Sequence, residues 1–71
     1  MAWDHCHHSV EVDFPSLDMA RKRDGRSTKT LMRAAGLNKA QWYRIKERGR
    51  CRLDTVDRIC CELGLSLWEV T

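Results

Sequence analysis

Apolar residues recur at helical spacing along most of the chain, and glycines or capping residues separate the runs. Leu31 and Ala35 stand four apart, on one side of a helix predicted from Thr28 to Ala35 with Ser27 as its cap. Gly36 permits the left-handed backbone that ends a helix cheaply. Leu37 is the plug of the turn, and Asn38 is an N-cap for a helix from Lys39 to about Arg48, which Gly49 stops. Trp42 and Ile45, three apart, return that helix to the same core. A further helix is predicted from Leu53 or Asp54 to Leu63, with Leu53, Val56, Ile59, Cys60 and Leu63 as its stripe. Gly64 stops it, and Ser66 caps a last short turn from Leu67 to Val70. Upstream, Pro15 in a first turn opens a helix that runs to about Arg23 and breaks at Asp24-Gly25.

Residues 1–13 read differently, as an irregular and flexible tail ahead of a domain spanning 14–71. Within the tail, Val10, Val12 and Phe14 alternate with Glu11 and Asp13 in strand fashion. No partner for such a strand is evident in the chain, so it is expected to pair with another copy or another protein. That makes residues 1–14 a possible protein-binding segment. Met19 is also a possible alternative first residue.

At 71 residues the chain has room for one compact core. Hydrophobic content of 42% with no run of 18 apolar residues excludes a transmembrane helix. The N-terminus has no basic region followed by an apolar run, so no signal peptide is expected. Charge is uneven along the chain: residues 1–18 carry −4, residues 19–52 carry +10 and residues 53–71 carry −3, within a net +3. The basic stretch covers the two helices around Gly36, which points to a polyanion as partner.

Two short helices about a glycine turn, with one apolar face and one basic or hydrogen-bonding face, are how a helix-turn-helix offers its second helix to the major groove. The segment from about Leu17 to Val70 resembles the small DNA-binding domains of phage Cro and repressor proteins, the Cro/C1 type. Leu31, Ala35, Leu37, Trp42 and Ile45 fill that family's five apolar places around the turn glycine. Arg44-Ile45-Lys46-Glu47-Arg48-Gly49 is a one-residue-longer counterpart of its Arg-Ile-(acid)-Arg-Gly phrase. Leu53 to Val70 resembles its fourth helix, glycine stop and short fifth helix. Met32 and Trp42 depart from the pattern, being bulkier than the alanine and the valine or isoleucine the family favours. The resemblance implies an all-α fold, a compact four- to five-helix repressor-like bundle with an irregular N-terminal tail.

With Trp42 and Ile45 inward at 100° per residue, Ala40, Tyr43, Arg44 and Glu47 fall on the outer side of the second helix, flanked by Lys39 and Gln41. By the resemblance, Lys39, Ala40 and Arg44 occupy base-contacting positions. Arg44 suits guanine O6 and N7, Ala40 suits a thymine methyl, and Tyr43 suits a base edge or a phosphate. Glu47, three residues after Arg44, is placed to pair with it. Phosphate contacts are expected from Ser27, Thr28 and Lys29 at a helix N-terminus, from Arg33 one turn on, from Gln41, and from Arg48, Arg50 and Arg52. Arg21, Lys22, Arg23 and Arg26 are weaker candidates.

His5, Cys6, His7 and His8 are zinc-ligand types, but their spacing fits no standard finger, and no metal is expected. Cys51 is a free loop thiol, and the adjacent Cys60 and Cys61 cannot bridge without distortion. Four cysteines without a secretory signal argue for a reducing interior. No nucleophile, base and acid assemble, so neither an enzyme nor a cofactor is expected. The reading is a cytoplasmic, sequence-specific binder of double-stranded DNA, a small transcriptional regulator of repressor, Cro or antitoxin kind. It is expected to dimerise, with Leu65, Leu67, Trp68 and Val70 as candidate interface or core closure. A helical protein-interaction module using the acidic N-terminal segment is the alternative.

Overall fold

The computed structural model describes residues 9–71. Strand β1 (Ser9–Glu11) leads into α1 (Phe14–Asp24), α2 (Thr28–Ala34), α3 (Lys39–Arg48), strand β2 (Arg50–Arg52) and α4 (Leu53–Leu63), and a 3-10 turn (Leu67–Glu69) follows. The helical reading holds with one addition, because the fold is not all-α. β1 and β2 form an antiparallel two-stranded sheet with Ser9 opposite Arg52, Val10 opposite Cys51 and Glu11 opposite Arg50. The expectation that the N-terminal strand lacks a partner in this chain is therefore corrected. Its partner is the segment between α3 and α4, read from sequence as a loop. The His5-Cys6-His7-His8 cluster lies outside the described residues.

Capping chemistry sets most helix boundaries. The Asp13 carboxylate accepts from the Ser16 amide at 3.5 Å and from its hydroxyl at 2.8 Å, starting α1 one residue before Pro15. The Ser27 hydroxyl accepts from the Thr30 amide at the head of α2. At the head of α3, the Asn38 side chain accepts from the Gln41 amide, while the Gln41 side chain accepts from the Asn38 amide. Of the stops, Gly36 decides most. Its φ of 75° turns the chain between α2 and α3, and the Leu37 amide bonds back to the Met32 carbonyl at 2.8 Å.

The core gathers Val12, Leu17, Leu31, Met32, Trp42, Ile45, Val56, Ile59, Cys60 and Val70, each less than one-tenth exposed. Trp42, 2% exposed, is its one tryptophan among the described residues. Phe14 meets its ring edge-on at 5.1 Å between centroids, and the Arg21 guanidinium lies 5.8 Å over it. Met32 is fully buried, so the family's small position here carries a large side chain. Val12 and Val70 are both buried, and the Asp13 amide donates to the Val70 carbonyl at 2.6 Å. This ties the strand's exit to the last turn. Leu65 and Leu67 pack partly against the core with Val70, while Trp68 is 78% exposed.

Candidate nucleic-acid interface

The α2–turn–α3 unit holds α3 by its inward face. Trp42 and Ile45 are buried, while Lys39, Ala40, Tyr43, Arg44, Glu47 and Arg48 are exposed. Lys39 and Tyr43 sit one turn apart, with the ammonium 5.7 Å over the ring, and this fixes two of the four candidate base-reading side chains on one outer face. Arg44 makes no ion pair with Glu47 among the described residues, so the pairing open to it in sequence is not formed.

The chain's cations divide into two populations. On the α1 side, Arg21, Lys22 and Arg26 are committed to carboxylates. Arg21 and Lys22 both meet Asp18, at 3.1 and 3.3 Å. Arg26 bonds Asp24 and Glu62 and also donates to the Glu62 carbonyl at 2.9 Å, clamping the α1–α2 loop to the end of α4. Burial works to raise the Asp18 carboxyl, but the bonds from Arg21 and Lys22 outweigh it and hold the group below its usual range. The bond from Arg26 does the same at Asp24. On the other side, Lys29, Arg33, Arg44, Lys46 and Arg48 are exposed and form no ion pair among the described residues.

The remaining candidates take varied positions. Ser27 and Thr28 stand at the start of α2, and the Ser27 hydroxyl donates to that of Thr30 at 3.0 Å besides capping the helix. Its oxygen is thus already engaged. Gln41 has its carbonyl oxygen in the α3 cap. Arg50 and Arg52 lie not on a loop but on β2, both exposed, with Cys51 between them turned inward. Arg50 reaches across the sheet to Glu11 at 3.4 Å, to the Ser9 carbonyl at 3.3 Å and to its hydroxyl at 3.4 Å. Burial pushes the Cys51 thiol up and the Cys60 thiol up to about 11, so both stay protonated near neutrality.

Between α3 and β2 the surface opens into a cleft of about 400 Å³. Arg44 and Arg48 come to it from the helix and Arg50 and Arg52 from the strand, with Ile45, Cys51 and Thr55 also lining it. Sequence reasoning found the four arginines but not Ser9 or Thr55, which the fold brings to the same cleft. The available signal was the period-two pattern of Arg50-Cys51-Arg52, the counterpart of Ser9-Val10-Glu11.

Among the described residues, no group of three or more His, Cys, Asp or Glu is placed to hold a metal ion, and no helix is long and apolar enough to cross a membrane. Comparison with curated proteins and with solved structures yields no match. A family model does match, over residues 16–70, and it is that of the Cro/C1-type helix-turn-helix DNA-binding domain. That span begins inside α1 and includes both helices of the turn, β2, α4 and the last turn. With its apolar places and turn glycine filled as described, the chain belongs to the Cro/C1-type helix-turn-helix DNA-binding domain family.

Proposed function

We propose that the protein is a sequence-specific binder of double-stranded DNA that acts as a small transcriptional regulator of repressor, Cro or antitoxin kind, with α3 in the major groove. The observation that carries this reading is the division of α3: Trp42 and Ile45 anchor one side, while Lys39, Ala40, Tyr43 and Arg44 stand exposed on the other. These four read base edges, with Arg44 donating a bidentate pair to guanine and Ala40 meeting a thymine methyl. Lys29 and Arg33 on α2, and Arg48, Arg50 and Arg52 beyond the reading residues, neutralise backbone phosphates. Thr28 assists at the head of α2, and Ser27 and Gln41 contribute what their caps leave over. One such helix covers a half-site, so a two-fold pair of domains on paired half-sites completes the reading. Of Leu65, Leu67, Trp68 and Val70, Trp68 is the exposed one available for that pairing.

Binding to a selected duplex should weaken steeply with salt, with each neutralised phosphate adding about −0.9 to the log–log slope. Arg44→Ala should cost roughly 1–3 kcal/mol on the cognate site and flatten discrimination at one base pair. Lys29→Ala should weaken cognate and random duplexes alike and reduce the slope by about one. Equal loss on every sequence for Arg44→Ala would make it a backbone contact. No change in either variant would overturn the DNA reading.

A further inference from the structure

We propose that the cleft between α3 and β2 is a binding site for a small phosphomonoester, whose presence excludes DNA from α3. The site itself stands on the geometry below, and its effect on DNA rests on the function proposed above. Four arginines line one recess, two from successive turns of α3 and two from alternate positions on β2. Guanidinium forks match phosphate oxygens in pairs, so arginines converging on one recess suit a phosphate group. Arg50 is already held in place by Glu11 and Ser9, so part of the ordering is done before a ligand arrives. Arg44 and Arg48 form no ion pair among the described residues.

Thr55 supplies an independent pointer. It is only 7% exposed and lines the cleft, yet its hydroxyl makes no hydrogen bond among the described residues. Among the described residues no side-chain polar atom is both sealed from solvent and unpaired, so this hydroxyl keeps an open edge, and the cleft is the opening that Thr55 lines. An unpaired hydroxyl on the wall of an arginine-lined cleft is a ready donor to a phosphate oxygen.

The cleft's size and lining select the class of ligand. About 400 Å³ lies within the range of small-molecule sites, and Ile45 and Cys51 give it an apolar part that a bare anion would leave unused. A phosphomonoester carries up to two charges for the arginines and an organic body for the apolar lining. A backbone phosphodiester carries one charge and brings no free organic body to the apolar lining. Because Arg44 belongs to both the cleft and the proposed reading face, one occupant displaces the other.

Adenosine 5′-monophosphate, adenosine and inorganic phosphate serve as probes, titrated into the full chain at constant ionic strength by calorimetry and amide NMR. The monophosphate should bind saturably and more tightly than either fragment, shifting the Gly49, Arg50 and Thr55 amides. Thr55→Val, which keeps the shape and removes the hydroxyl, should weaken it roughly tenfold and leave duplex affinity unchanged. The monophosphate should also raise the apparent duplex Kd in proportion to its occupancy. Duplex binding without any saturable monophosphate binding would overturn the site, as would equal affinity in Thr55→Val. Simultaneous binding of both would overturn the exclusion. Monophosphate binding without duplex binding would support the site and remove the DNA reading instead.

Discussion

The two flanks of α3 are built on opposite plans. Toward α1 and α2 the helix is pressed into an apolar interior by Trp42 and Ile45, against Leu31, Met32 and Phe14. Toward the sheet it faces a ribbon of three residues per strand, in which only Val10 and Cys51 turn inward. The first flank fixes where α3 sits. The second is too thin to fill the space beside the helix, and the arginine-lined cleft is what remains. A rigid anchor and an open flank therefore coexist on one ten-residue helix. The first carries the burial and the second carries the exposed cations.

The sharpest way to break this contrast is Trp42→Ala on the anchored flank. Loss of the buried ring and the cavity left behind should cost roughly 3–5 kcal/mol, comparable to the whole stability of a domain this small. Thermal melting checks it, and an unchanged midpoint would remove Trp42 as the anchor.

Val12→Ala tests how firmly the ribbon is joined to the core. Val12 is 7% exposed, and its amide donates to the Gly49 carbonyl at the end of α3. The substitution should cost roughly 1–3 kcal/mol in chemical denaturation. A loss near zero would mean that the strand lies on the domain without stabilising it.

Arg50→Ala probes the open flank and should scarcely affect melting, because exposed ion pairs contribute roughly 0–1 kcal/mol. Its effect belongs in the salt dependence of duplex binding, where the slope should fall by about one. If melting fell sharply and the slope held, Arg50 would be a sheet clasp and not a phosphate contact.

The same contrast explains what could be read from sequence. The anchored flank is written in contiguous residues: Ser27, Gly36, Asn38 and Gly49 mark starts and stops, and the three-residue step from Trp42 to Ile45 sets the face. Each of these signals acts within a turn or two of itself. The ribbon joins Ser9 to Arg52 and Glu11 to Arg50, about forty positions apart, and nothing local specifies that meeting. The alternation of Val10 and Val12 announced a strand, but its partner was marked only by the three-residue alternation of Arg50-Cys51-Arg52. Thr55 was invisible for the same reason, since its role comes from what folds over it. Met32 shows the opposite limit: its spacing did not single it out, yet the interior takes it whole.

The setting of Trp42 also gives the domain a built-in optical gauge. An indole that is 2% exposed, met by an aromatic edge and covered by a guanidinium, should emit at shorter wavelength than one in water, whereas Trp68 at 78% exposure should emit much as an unfolded indole does. In a variant with Trp3 and Trp68 replaced by Phe, the colour of the remaining fluorescence would report the state of the interior beneath α3. Quenching by iodide would then register any loosening of the helix while a ligand or duplex occupies its outer side.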